Sequence, residues 1–218
     1  MNKNNIKAIL FDMDGLLVDS EPLHFEAHRR ALEKFGIQIT KEDYIQNGVS
    51  GGRRSFYEVM QIKYHKPLDI NAVRKLKKEI YGELIKQIEV FDGTKRIVEI
   101  LHRKYRIAVV SNTHPEYIQK TLAHVGMVEY FETISSAKEL ERGKPFPDVY
   151  FNAMKKLGME ASECVAVEDS CSGIEAAKNA GIRCIAIPNE FTSQQDLSRA
   201  DVVIGSIKEM DKALVEKL

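Results

Sequence analysis

At 218 residues the chain is long enough to bury a sizeable core, and suits one substantial domain with a smaller insertion. Its 32 lysines and arginines match its 32 aspartates and glutamates, so no net field draws it to nucleic acid or an anionic membrane. No apolar run approaches the ~20 residues of a membrane span, and the opening stretch leads into a strand instead of a signal-peptide core, so the expectation is a cytoplasmic monomer that meets a small partner.

The first element is an apolar run over residues 8–11, which ends in Asp12, Asp14 and Gly15. This reads as a buried strand that delivers two carboxylates into a turn. Burying carboxylates is costly unless cations or hydrogen-bond donors compensate them, so acids at the carboxyl end of a strand point to a functional crevice. A calcium loop would need further acids or amides at alternating positions, and Leu16, Leu17 and Val18 follow instead. Ser20 or Asp19 can then cap a helix with Pro22 just inside it, running through His24, His28 and Leu32 to Gly36.

Further helical patterns span 53–64 and 70–87, and no strand is evident before Val90. Residues 19–90 therefore read as a helical cap domain inserted after the first strand, and 1–18 with 91–218 as the core domain. From Phe91 helix and strand alternate: helix 93–104, strand 106–110, helix 114–125, strand 133–135, helix 146–157, strand 164–167, helix 171–180, strands 183–187 and 201–204, and helix 206–217. That order predicts an α/β fold, a doubly wound, Rossmann-like and mostly parallel sheet covered on both faces. The cysteines Cys164, Cys171 and Cys184 have neither zinc-site spacing nor an even count, and read as reduced packing residues.

Several motifs follow strands and so meet at one edge of such a sheet. A carboxylate attacking a phosphate ester brings anion to anion, a repulsion of roughly 4 kcal/mol at about 4 Å and an effective dielectric near 20. If Asp12 is the nucleophile, the site needs a divalent ion and a lysine. Asp14, two positions on, is placed to protonate the leaving oxygen and then to activate water. Ser111 and Asn112 stand where a strand gives way to a helix beginning at Thr113 or His114, and helix capping accounts for them equally well. Lys144 lies between Gly143 and Pro145, in a loop that can aim an ammonium. Glu168 and Asp169 end a strand, as magnesium ligands or as a solvated turn.

The stretch Phe11-Asp12-Met13-Asp14-Gly15-Leu16-Leu17-Val18-Asp19-Ser20-Glu21-Pro22 resembles the first motif of the haloacid dehalogenase superfamily, in its branch of β-phosphoglucomutase-like phosphatases. The motifs around Ser111-Asn112, Gly143-Lys144-Pro145 and Glu168-Asp169 follow in that family's order, so the resemblance spans nearly the whole chain. It implies that the Ser111 hydroxyl and the Asn112 backbone N–H hold phosphate oxygens, and that Lys144 contacts both Asp12 and the phosphoryl group. It further implies Mg2+ ligated by Asp12, the Asp14 carbonyl and Asp169, with Glu168 acting directly or through water.

In the cap, His24 matches a position that faces the catalytic acid in the sugar phosphomutases, and a packed helical histidine is the alternative reading. Arg53 and Arg54 follow a glycine-rich loop and are candidate clamps for a substrate anion, or equally solvated charges at a helix start. In β-phosphoglucomutase that loop has a lysine before Gly-Val-Ser and an arginine after it, whereas here Asn47 and Gly51 stand there. Losing both cations favours hydrolysis over a bisphosphate-dependent mutase, unless Arg53 or Arg54 takes their place. The expected activity is a magnesium-dependent phosphatase acting on a small phosphorylated metabolite, plausibly a sugar phosphate, through an aspartyl-phosphate. The alternatives are a β-phosphoglucomutase-type mutase and a non-enzymatic phosphorylation switch.

Overall fold

The structure is a computed structural model and describes residues 6–49 and 55–218. Among these, six strands make one parallel sheet: β1 (Ala8–Phe11), β2 (Arg106–Ser111), β3 (Thr133–Ser136), β4 (Cys164–Glu168), β5 (Arg183–Ala186) and β6 (Val202–Val203). Their order is β3-β2-β1-β4-β5-β6. Strand β1 is buried at all four positions, as a central strand covered on both faces must be. The chain moves outward from β1 through β2 to β3, then returns to place β4 on the other side of β1. That reversal opens a crevice at the carboxyl ends of the strands. The register aligns those ends, with Phe11 opposite both Val109 and Val167, so Asp12, Ser111 and Glu168 leave the sheet close together.

The helices are α1 (Glu21–Lys34), α2 (Lys41–Asn47), α3 (Phe56–Lys63), α4 (Ile70–Leu84), α5 (Thr94–His102), α6 (Pro115–His124), α7 (Asp148–Leu157), α8 (Cys171–Asn179) and α9 (Lys212–Lys217). On one face of the sheet Leu10, Ala108, Val110 and Ala166 pack with Tyr150, Ala153 and Leu157 of α7 and with Ile174 and Ala177 of α8. Small residues on the strands let these helices lie close. No helix among the described residues is long and apolar enough to cross a membrane.

The expected helix 206–217 is broken. A 3-10 turn over Ile207–Glu209 is followed by extended Asp211, whose carboxylate accepts from the Leu214 N–H at 2.7 Å and starts α9 afresh. The helix expected over 146–157 starts at Asp148, with Pro147 as its N-cap. Helix α2 has no counterpart in the predicted elements, because seven residues are too few to show a 3.6-residue period.

The chain divides into two compact units: the residues up to Asp19 with Glu89–Leu218, and Ser20–Ile88. In the second unit α1 and α4 pack together, burying Ala27 and Ala31 of one and Val73 and Tyr81 of the other.

Asp43 ties this unit together. Its side chain is only 1% exposed. It closes a capping box with Thr40 and accepts from the Tyr64 hydroxyl at 2.6 Å and from the Lys63 ammonium. Burial alone would raise its carboxyl, and these donors outweigh burial and hold it at about 2 against an ordinary 3.8. A depressed carboxyl contributes stability above its unfolded value that disappears as pH falls towards the folded one. Asp43→Asn is therefore expected to cost about 1–2 kcal/mol at pH 7, after allowance for the solvent-screened Lys63. The difference from the parent should vanish between pH 4 and pH 2. Urea midpoints across that range check it, and parallel curves would refute it.

Candidate active site

Asp12 follows β1 directly, and its backbone N–H donates to the Val167 carbonyl at 2.9 Å, continuing the sheet one residue past the strand. This fixes its Cα and projects a buried carboxylate, on a side chain 9% exposed, into the crevice. Burial pushes the Asp12 carboxyl well up, and the Glu168 and Asp14 carboxylates add to this against the pull of Lys144.

Lys144 comes from the loop before α7, and the structure brings its ammonium to Asp12. The Nζ donates to Asp12 Oδ1 and, at 2.9 Å, to the Val110 carbonyl, and lies 2.6 Å from Glu168 Oε1. The side chain is 4% exposed. Burial works against its charge, but the two carboxylates more than compensate and hold the ammonium above its ordinary value. The Asn112 side chain anchors the loop, its Oδ1 accepting from the Lys144 N–H at 2.9 Å. A Cβ on Gly143 would fall 2.7 Å from that oxygen, so glycine is what allows the loop this close.

Asp14 bonds to the end of β2 and the loop after it. Its Oδ2 accepts from the Ser111 hydroxyl at 3.1 Å and from the Thr113 hydroxyl at 2.8 Å. The Ser111 oxygen in turn accepts from the Thr113 N–H at 3.0 Å, a local turn that keeps the chain out of a helix. Helix α6 consequently begins at Pro115 with His114 as its N-cap. The capping account of Ser111 and Asn112 therefore fails, and their side chains serve Asp14 and the Lys144 loop.

Glu168 ends β4 and is wholly buried. Its Oε1 takes the Tyr150 hydroxyl as well as Lys144, and Oε2 has no hydrogen-bond partner among the described residues. A Cβ on Gly173 would stand 1.9 Å from Oε2, so the first turn of α8 needs glycine there to make room for the carboxylate. Asp169, 4% exposed, accepts from Asn189 Nδ2 at 2.8 Å.

Among the described residues Asp12, Glu168 and Asp169 each offer an oxygen, all within 4.8 Å of one another. Three buried carboxylates against the one ammonium of Lys144 leave negative charge in excess, and the donors are all oxygen. Glu168 Oε2 has no partner among the described residues, and burial with the neighbouring acids raises the Asp12 carboxyl, features that a hard divalent cation would offset. The residues fit magnesium.

The cap candidates are placed only in part. In the Ser20–Ile88 unit His24 stacks on Tyr81, with centroids 4.1 Å apart, and its Nδ1 lies 2.9 Å from Lys77 Nζ. Arg53 and Arg54 lie outside the described residues.

Thr113, Tyr150 and Asn189 join the site without having been singled out from the sequence. Thr113 looks like a helix cap. Tyr150 is indistinguishable from a core position of α7, since its hydroxyl is the only polar atom on a wholly buried side chain. Asn189 had a usable signal, because it follows a strand at the edge where the other motifs gather.

A family model described as haloacid dehalogenase-like hydrolase matches residues 9–187. The phosphorylated carbohydrates phosphatase of Thermotoga maritima is 31% identical over 186 residues, covering 83% of this chain and 84% of its own. Hexitol phosphatase B of Escherichia coli is 28% identical over 211 residues, 94% of each chain. The crystal structure of CbbY from Rhodobacter sphaeroides in complex with phosphate matches with a TM-score of 0.85 at 28% identity, covering 98% of this chain and 100% of that one.

Proposed function

Because the chain belongs to the haloacid dehalogenase-like hydrolases, we propose that it is a magnesium-dependent phosphatase, a cytoplasmic monomer that hydrolyses a small phosphorylated metabolite through an aspartyl-phosphate at Asp12. The observation that supports this best is the buried ion pair of Lys144 with Asp12, set beside two further carboxylates. Two relatives are named for phosphorylated carbohydrates and hexitols, which favours a sugar phosphate as substrate.

In this reading the Asp12 carboxylate attacks phosphorus, the bond to the leaving oxygen breaks, and Asp14 gives that oxygen its proton. Asp14 then takes a proton from water as the water oxygen attacks the same phosphorus, releasing inorganic phosphate and restoring Asp12. The Thr113 hydroxyl orients Asp14 for both transfers. With substrate bound, the Ser111 hydroxyl turns its single proton from Asp14 to a phosphoryl oxygen, the Asn112 N–H donates to another, and Lys144 balances their charge. Held by Asp12, the Asp14 carbonyl, Asp169 and, directly or through water, Glu168, magnesium would supply two positive charges that offset the repulsion between nucleophile and phosphoryl group.

The insertion over 19–90 acts as a cap that selects the leaving group, with His24 and Arg53 as its substrate contacts. Hydrolysis is preferred to a mutase reaction because Asn47, the last residue of α2, stands where β-phosphoglucomutase has a lysine, its amide turned to the Asp43 carbonyl of its own helix at 3.1 Å.

A panel of phosphorylated metabolites assayed for phosphate release tests the reading. Sugar phosphates should be hydrolysed in magnesium and left intact in EDTA. Fast conversion of β-glucose 1-phosphate to glucose 6-phosphate with a bisphosphate primer, and negligible phosphate release, would establish the mutase instead. A stable phosphoprotein without turnover would establish the switch.

A further inference from the structure

Asn189 lies in the loop after β5, outside all four motifs of the site. Its side chain joins three separate segments. The Oδ1 accepts from the backbone N–H groups of Phe191 at 2.7 Å and Thr192 at 3.2 Å. Both are obligate donors, so the amide cannot be flipped, and Nδ2 must face the other way. There it donates to the Gly15 carbonyl and to Asp169 Oδ2, each at 2.8 Å. The Asn189 N–H is itself held by the Thr192 hydroxyl at 3.0 Å, and that side chain is wholly buried.

The segments are pressed together without room for another side chain. Gly15 has φ +79°, and a Cβ there would lie 2.5 Å from Asp169 Oδ2 and 2.6 Å from Asn189 Nδ2. The loop alone needs only the bonds made by Oδ1. The two bonds from Nδ2 go instead to a carboxylate of the acidic cluster and to the carbonyl of Gly15, one residue beyond Asp14. An amide is suited to this task in a way that lysine or arginine is not, since it orients a carboxylate without neutralising it, leaving the charge for a cation.

We propose that Asn189 is a positioning residue for a divalent cation: it clamps Asp169 and the Gly15 peptide in the arrangement that the cation requires, and so sets its affinity. This inference rests on the magnesium site of the preceding section. Isothermal titration calorimetry of magnesium into EDTA-stripped full-length protein tests it, with Asn189→Ala and Asn189→Ser compared with the parent. The serine hydroxyl can still accept from the loop N–H groups, but it is too short to reach both Gly15 and Asp169.

Both variants should bind magnesium about 10–100-fold more weakly. The KM for magnesium should rise in step, with kcat at saturating metal within a few-fold of the parent. Melting temperatures in EDTA separate this from a structural role, and the serine variant carries the test should the alanine variant unfold. Variants that melt lower yet bind magnesium as the parent does would overturn the clamp and leave the metal reading standing. A parent that binds no magnesium would overturn both.

Discussion

Asp12→Asn is expected to lower turnover of p-nitrophenyl phosphate in magnesium by a factor on the order of 10³ or more, because the amide oxygen cannot form the acyl phosphate. The same change should leave the fold intact. Asp12 sits in a buried setting where desolvation, Glu168 and Asp14 all disfavour its charge and Lys144 favours it. Replacing it by a neutral isostere removes that repulsion, and Lys144 keeps Glu168 at 2.6 Å and the Val110 carbonyl at 2.9 Å. An unchanged urea midpoint would therefore assign the lost turnover to chemistry. Acid-quenched protein should carry a labelled phosphoryl group in the parent and none in the variant. Retained turnover would remove Asp12 from the role of nucleophile and with it the proposed aspartyl-phosphate.

What the sequence made legible depended on how local the determining physics is. The apolar run before Asp12 and its counterparts before Ser111 and Glu168 are continuous hydrophobic strands, and their parallel arrangement follows from the helices between them. With those strands in place, the convergence of Asp12, Ser111, Lys144, Glu168 and Asp169 follows from topology. Partners fixed by side-chain direction were not legible. Nothing in the spacing shows that Asn112 points its side chain at the Lys144 backbone, or that the Tyr150 hydroxyl reaches Glu168 across the face of the sheet. Helix ends were legible only where capping competes with nothing else. At Ser111 the hydroxyl is taken up by a turn and by Asp14, which moves the start of α6 to Pro115. The helix expected over 70–87 showed through periodicity and forms over Ile70–Leu84, with a 3-10 turn over Ile85–Gln87, while α2 had only its Thr40 and Asp43 box to announce it.

Lys144→Met tests the other half of the charge arrangement, and here stability should fall together with activity. The methionine fills similar volume but leaves Asp12 and Glu168 buried without their cation, a change worth about 3–5 kcal/mol for a buried pair broken on one side. The sign of the pH dependence identifies the cause. Burial already raises the Asp12 carboxyl, and losing Lys144 raises it further, so the folded variant binds more protons than its unfolded chain. Its deficit against the parent should then be largest near pH 8 and shrink as pH falls towards 5. A simple packing defect would give a deficit independent of pH. Adding Glu168→Gln to Lys144→Met should recover part of the lost stability by removing one of the stranded charges, with a coupling energy that a double-mutant cycle measures. Activity should stay lost in the double variant, since the phosphoryl oxygens would still lack the ammonium. Additive effects of the two substitutions would mean that Lys144 stabilises the protein by some route other than Glu168.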